Sequence, residues 1–133
     1  MKFLEQDDAA KLILRLVLGI MLFMHGAAKI QHMAAMDWIR SMVVDHGLPP
    51  WVAYGVLIGE LVAPVMLVLG YFTRLAALMV VVNMTFAVWL VHTGQIFMFS
   101  EHGGWRLELQ GFYFFVGLAL VLLGSGKYAV RAD

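Results

Sequence analysis

The sequence predicts an all-α integral membrane protein: a four-helix bundle with a short interfacial helix between helices one and two. Three observations carry that prediction. Hydrophobic residues make up 62% of the 133-residue chain and charged residues only 14%, with a mean hydropathy of +0.85. Soluble domains average about 45–50% apolar and roughly a quarter charged residues. Four stretches come close to the roughly 20 apolar residues that a spanning helix needs. The turn signals between them leave no room for a soluble domain, so residues 1–133 read as a single membrane domain. Composition also excludes other classes. Nine Lys plus Arg balance nine Asp plus Glu, so no basic field exists to collect nucleic acid. The absence of cysteine removes disulfides, thiolate metal sites and dithiol redox chemistry.

The first span is placed at Ala9–Ile30. Arg15 interrupts its apolar run, acidic residues precede it and no small-residue cleavage site follows, so it reads as a retained helix and not a signal peptide. Over Met33–Asp45, the residues Ala35, Met36, Trp38, Ile39, Met42 and Val43 share one helical face, and Asp37, Arg40, Ser41 and Asp45 share the other. That amphipathic pattern predicts a helix lying in the membrane interface. Gly47-Leu48-Pro49-Pro50 breaks it, with proline suited to the first turn of the second span, Pro50–Gly70. The brief turn Tyr71-Phe72-Thr73 makes the third span, Thr73–Thr93, an antiparallel neighbour. Leu107–Gly124 is the fourth. Lys2, Lys11, Arg74, Lys127 and Arg131 fall on the side of the termini, against Lys29, Arg40 and Arg106 on the other. Five against three predicts both termini in the cytoplasm.

Charged side chains within a span cost about 3 kcal/mol each and turn toward the bundle interior, where they mark candidate sites. On the first span His25 lies about 80° and Lys29 about 40° around the helix from Arg15, and Gly19 and Gly26 fall on the same side. This predicts one polar face of close approach. Glu60 sits near the middle of the second span and Asn83 at a matching depth in the third, so the two are expected to meet. Arg15 is the expected partner of Glu60. Pro64, four residues on, cannot donate to the Glu60 carbonyl, which predicts a kink beside the acid. In the fourth span Gly111, Phe112, Phe115 and Ala119 share the side that Glu108 defines. Phe112 and Phe115 there either stack on a quinone ring or anchor the helix at the interface. Arg15, Glu60 and Asn83 equally allow a buried polar clasp that only fixes helix register, and for Lys29, near the interface, plain snorkelling is the favoured reading. A haem held between His25 and His92 is disfavoured, because there is no CxxCH motif, and no helical His or carboxylate pair points to a metal.

The ordered features resemble the DoxX family of small four-helix bacterial membrane proteins over essentially the whole chain. The resemblance rests on Arg15-Leu16 followed by Gly19 and Phe23, then on His25-Gly26-Ala27-Ala28-Lys29-Ile30, similar to the family's glycine-x-x-lysine end of helix one. Gly47-Leu48-Pro49 precedes helix two, and Glu60 lies within it. Leu69-Gly70-Tyr71-Phe72-Thr73-Arg74 is similar to the leucine-glycine-x-x-threonine-arginine turn. Glu108 and Gly124-Ser125-Gly126-Lys127-Tyr128 complete the series; the family often closes with serine-leucine-aspartate, where this chain reads Ala129-Val130-Arg131. The resemblance implies a multi-pass protein of the bacterial inner membrane. One relative forms part of a thiosulfate:quinone oxidoreductase, and others are associated with oxidative-stress complexes.

Three functional readings follow. The first is a membrane subunit or anchor of a quinone-linked oxidoreductase, offering Arg15, His25, Lys29, Glu60, Asn83, Glu108 and the Phe112/Phe115 surface to a quinone and its protons. No self-contained catalytic motif is present, so electrons require a redox partner protein or a bound cofactor. The second is a non-enzymatic scaffold whose interfacial helix docks another protein. The third is a small proton-coupled transporter, which with four helices requires a homo-oligomer.

Overall fold

The computed structural model describes residues 1–133 and contains five α-helices: α1 (Asp7–Gln31), α2 (Met33–Asp45), α3 (Val52–Leu69), α4 (Thr73–Ala87) and α5 (Glu108–Leu123). α4 continues into a π-helical turn, Val88–His92, and a 3-10 turn, Thr93–Gln95. Three stretches, Lys2–Gln31, Val52–Leu69 and Thr73–Gln95, are long and apolar enough to cross a membrane, and α5 is a shorter apolar helix of 16 residues. At about 1.5 Å per residue, α5 falls about four residues short of the hydrocarbon thickness. It nevertheless carries the chain from one end of the bundle to the other, because the C-terminal residues reach Asp8 and Arg74 beside the other terminus. The architecture is an all-α, multi-span membrane bundle with one short non-spanning helix.

Local chemistry sets the boundaries. Asp7 and Asp8 occupy the first turn of α1, where the helix dipole favours negative charge. Gly70 takes a left-handed φ of 73° and ends α3. Its N–H donates to the Leu67 carbonyl and that of Tyr71 donates to Met66, which is the Schellman arrangement. α1 packs along α3, α4 along α5, and α3 against α4 joins the two pairs. Glycines permit the first contact: a Cβ on Gly26 would lie 2.5 Å from the Glu60 carbonyl oxygen, and one on Gly19 2.9 Å from that of Pro64. α3 runs unbroken through Pro64, and the Gly26 backbone covers the carbonyl that Pro64 cannot bond.

Two apolar clusters result. The main core joins Leu18 and Leu22 of α1, Ala63 and Leu67 of α3, Val80 and Met84 of α4, and Leu120 of α5. A second gathers Met36, Ile39 and Val43 of α2 with Ala53 and Leu90. α2 therefore folds onto the start of α3 and the π turn, so its apolar face meets protein and caps one end of the bundle.

At the opposite end Arg15 is 1% exposed. Its Nε donates to the Leu67 carbonyl at 2.9 Å, Nη1 to Ser125 at 2.9 Å and Tyr128 at 2.7 Å, and Nη2 to Val68 at 3.3 Å. This corrects the expected Arg15–Glu60 pair. The Leu67 and Val68 carbonyls lie at the C-terminal end of α3, where partial negative charge gathers, and those of Ser125 and Tyr128 lie in the irregular segment that follows α5. Glu60 lies seven residues up α3 from Leu67, about 10 Å away along the axis. The C-terminal segment is pinned beneath the bundle as well: Val130 and Arg131 donate to the Leu69 and Gly70 carbonyls, and Lys127 N–H to Asp8.

Candidate functional site

α1, α3, the end of α4 with its π turn, and α5 diverge beneath α2 and line a partly open cavity of about 250 Å³. Its apolar wall includes Leu22, Val56, Met84 and Leu90, and its polar lining is His25, Lys29, Glu60, His92, Gln110 and Tyr113. α2 contributes Trp38 and Ile39. Each polar residue reaches the space for a local reason. His25 and Lys29 stand one helical turn apart on α1, with Gly26 between them pressed against α3. Glu60 is brought to the same place by that contact, and its carboxylate accepts a hydrogen bond from Lys29 Nζ. The π turn carries His92, whose Nδ1 lies 3.0 Å from Gln95 Oε1. Tyr113 is buried and meets the His25 ring edge-on, with centroids 5.8 Å apart.

The lining provides donors and acceptors over an apolar wall, with no net charge: Lys29 and Glu60 neutralise each other. No group of three His, Cys, Asp or Glu side chains is placed to hold a metal ion. The space lies just below the roughly 300 Å³ at which sites for drug-sized ligands begin, so it suits a single ring and not a larger ligand. The donor set matches a ring bearing carbonyl oxygens: Lys29, Tyr113 and the imidazoles donate, and Glu60 takes up protons.

The structure gathers only part of the residue set expected from sequence. His25, Lys29 and Glu60 line the cavity together. Arg15 lies at the far end of α1. Asn83 is buried against Gly59, where a Cβ would sit 2.7 Å from its Cγ, and its Nδ2 has no hydrogen-bond partner. It borders an apolar hollow on the other side of the α3–α4 contact, so the expected meeting with Glu60 is corrected. Glu108 is exposed at the start of α5, where it complements the helix dipole. Phe112 and Phe115 are 64% and 61% exposed and face outward. The inner face of α5 is instead Tyr113, Gly117 and Leu120. In a membrane the outer face of a helix is as apolar as the inner one, so hydrophobic pattern alone does not choose between them. Gly117, close to the Ala77 carbonyl, is the small-residue signal that points to the right face.

Residues 10–93 match the DoxX family. The chain is also 32% identical over 123 residues to an uncharacterized protein of Haemophilus influenzae, covering 88% of this chain and 84% of that one. No solved structure matches. The family match takes in α1 to the end of the π turn, and with it His25, Lys29, Glu60 and His92, while Gln110 and Tyr113 lie beyond it. On that match, and on the multi-span bundle that carries it, the chain belongs to the DoxX family.

Proposed function

We propose that this DoxX-family protein is the membrane subunit of a quinone-linked oxidoreductase or redox-stress complex, and that the cavity under α2 holds the quinone ring. The observation that supports this reading is the convergence of His25, the Lys29–Glu60 pair, His92 and Tyr113 on one ring-sized space within an apolar bundle. Lys29 and Tyr113 orient carbonyl oxygens as donors, and the His25 ring is held in place by its edge-on contact with Tyr113. Glu60 and His92 line the same space and are the side chains available to exchange protons with the ring. A bound quinone supplies a carrier for paired electrons and protons. The chain has no cysteine, so electrons come from a redox partner protein or a bound cofactor. The protein sits in the bacterial inner membrane with both termini in the cytoplasm, which turns the cavity toward the outer face.

Binding of a benzoquinone to the purified protein tests the reading. Lys29→Met and Tyr113→Phe each remove a donor to a carbonyl oxygen and are expected to weaken it by about tenfold each, the cost of one lost hydrogen bond to a buried polar group. Unchanged affinity in both variants would place the ring elsewhere. A scaffold without ligand chemistry predicts no saturable binding by the native protein.

A further inference from the structure

The cavity is separated from the bundle's outer surface, between α4 and α5, by two side chains. A second hollow of about 270 Å³ lies outside this gap, lined by Thr85 of α4, Val88 of the π turn, and Phe114 and Phe115 of α5. Met84 and Gln110 line both spaces. They stand between a polar-lined chamber and an apolar hollow that opens where Thr85 and Phe115 are exposed.

Met84 is buried at the edge of the main core, and three features favour passage at this boundary. Met84 and Gln110 are unbranched side chains with several rotatable bonds, able to swing aside without moving the backbone. α4 gives up regular helical bonding at Val88, one turn beyond Met84, and π turns inserted in α-helices frequently occur at functional sites. The far side of the hollow is fixed. Trp105 donates from its indole Nε1 to the Ile96 carbonyl at 2.6 Å, and its ring lies so close to α5 that a Cβ on Gly111 would stand 2.6 Å from it.

We propose that this slot admits and holds the tail of a prenylated quinone: the ring occupies the cavity, and the isoprenoid chain passes between Met84 and Gln110 to lie in the hollow between α4 and α5. The inference rests on the quinone reading of the cavity and adds the substrate class, a lipid-tailed quinone taken from the bilayer instead of a water-soluble one. The continuity of a polar chamber with an apolar hollow through two flexible residues is what fits an amphipathic ligand. It also gives Phe115 a role beside the tail.

Two probes separate the claims: a dimethoxy-methyl-benzoquinone carrying a ten-carbon chain, and the same ring without the chain. Both are titrated against the full-length protein in detergent, alongside Thr85→Trp and Val88→Trp, which fill the hollow without touching the cavity. Thr85 is exposed, so the first variant keeps the fold even if the second does not. Overpacking of this kind is expected to weaken the tailed probe by about tenfold in the variants while the tailless ring stays within about twofold. Unchanged binding of the tailed probe to Thr85→Trp overturns the slot and leaves the cavity reading standing. Failure of the native protein to bind either probe removes the cavity reading and the slot with it.

Discussion

Lys29 and Glu60 form the ion pair at the centre of the cavity, with side chains 19% and 9% exposed. A half-buried pair loses more when one partner is removed than when both are, because the survivor is left as an uncompensated charge. Lys29→Met is therefore expected to cost about 3 kcal/mol, and Lys29→Met combined with Glu60→Leu less than that; thermal aggregation of the two proteins checks the order. If the double variant is the weaker, the pair is not coupled in the folded protein. Arg15 behaves differently, since its partners are four carbonyls and no acid. Lysine cannot reproduce a planar fork that reaches the end of α3 and the C-terminal segment at once. Arg15→Lys should loosen the segment after Gly124 and make it a site of early proteolysis, while the end under α2 stays intact. Equal protease resistance in the variant would show that the segment is held without the guanidinium.

The contact between α1 and α3 decides whether the cavity exists, and it depends on glycine. Gly26→Val would drive a side chain into the Glu60 carbonyl and the backbone behind it, so α1 and α3 must separate. Gly55 also lies on α3 but has nothing within 4 Å of an added Cβ. Gly26→Val is expected to lower stability by about 3 kcal/mol or more, and Gly55→Ala to raise it by up to about 1 kcal/mol through helix propensity. Detergent-solubilised thermal melts that rank the two the other way would remove the close contact from the account. Much of this level was legible in the sequence. The first three spans, α2 and the Gly70 turn fall within a few residues of their predicted places, because apolar length, a Gly-Pro break and a left-handed glycine are local signals. The polar face of α1 was legible from 100° periodicity, and His25 and Lys29 do share the cavity. Partner choice was not. Depth arithmetic brought Glu60 within reach of Arg15, but backbone carbonyls freed at helix ends do not show in side-chain inventories, and they took the guanidinium. Tyr113 and Gln110 were not legible as cavity residues because α5 beyond Gln110 is apolar all round, and Gly117 is the small residue that marks its inner face.

Across the whole molecule the two ends divide the labour. The end holding both termini is locked by Arg15, Arg74 and the returning C-terminal segment, and the end under α2 is left with a cavity in which Glu60 and Tyr113 are buried and His25 stands at an exposed edge. Rigidity at one end and an opening at the other suit a subunit that holds a small ligand for a partner to act on. The central claim is that this cavity holds a quinone ring. Native mass spectrometry of the gently solubilised protein tests it most directly, run beside His25→Trp, which fills the cavity from an exposed position. The account predicts a quinone retained by the native protein and missing from the variant. Phospholipid alone on both proteins, from membranes shown to contain quinone, would contradict it.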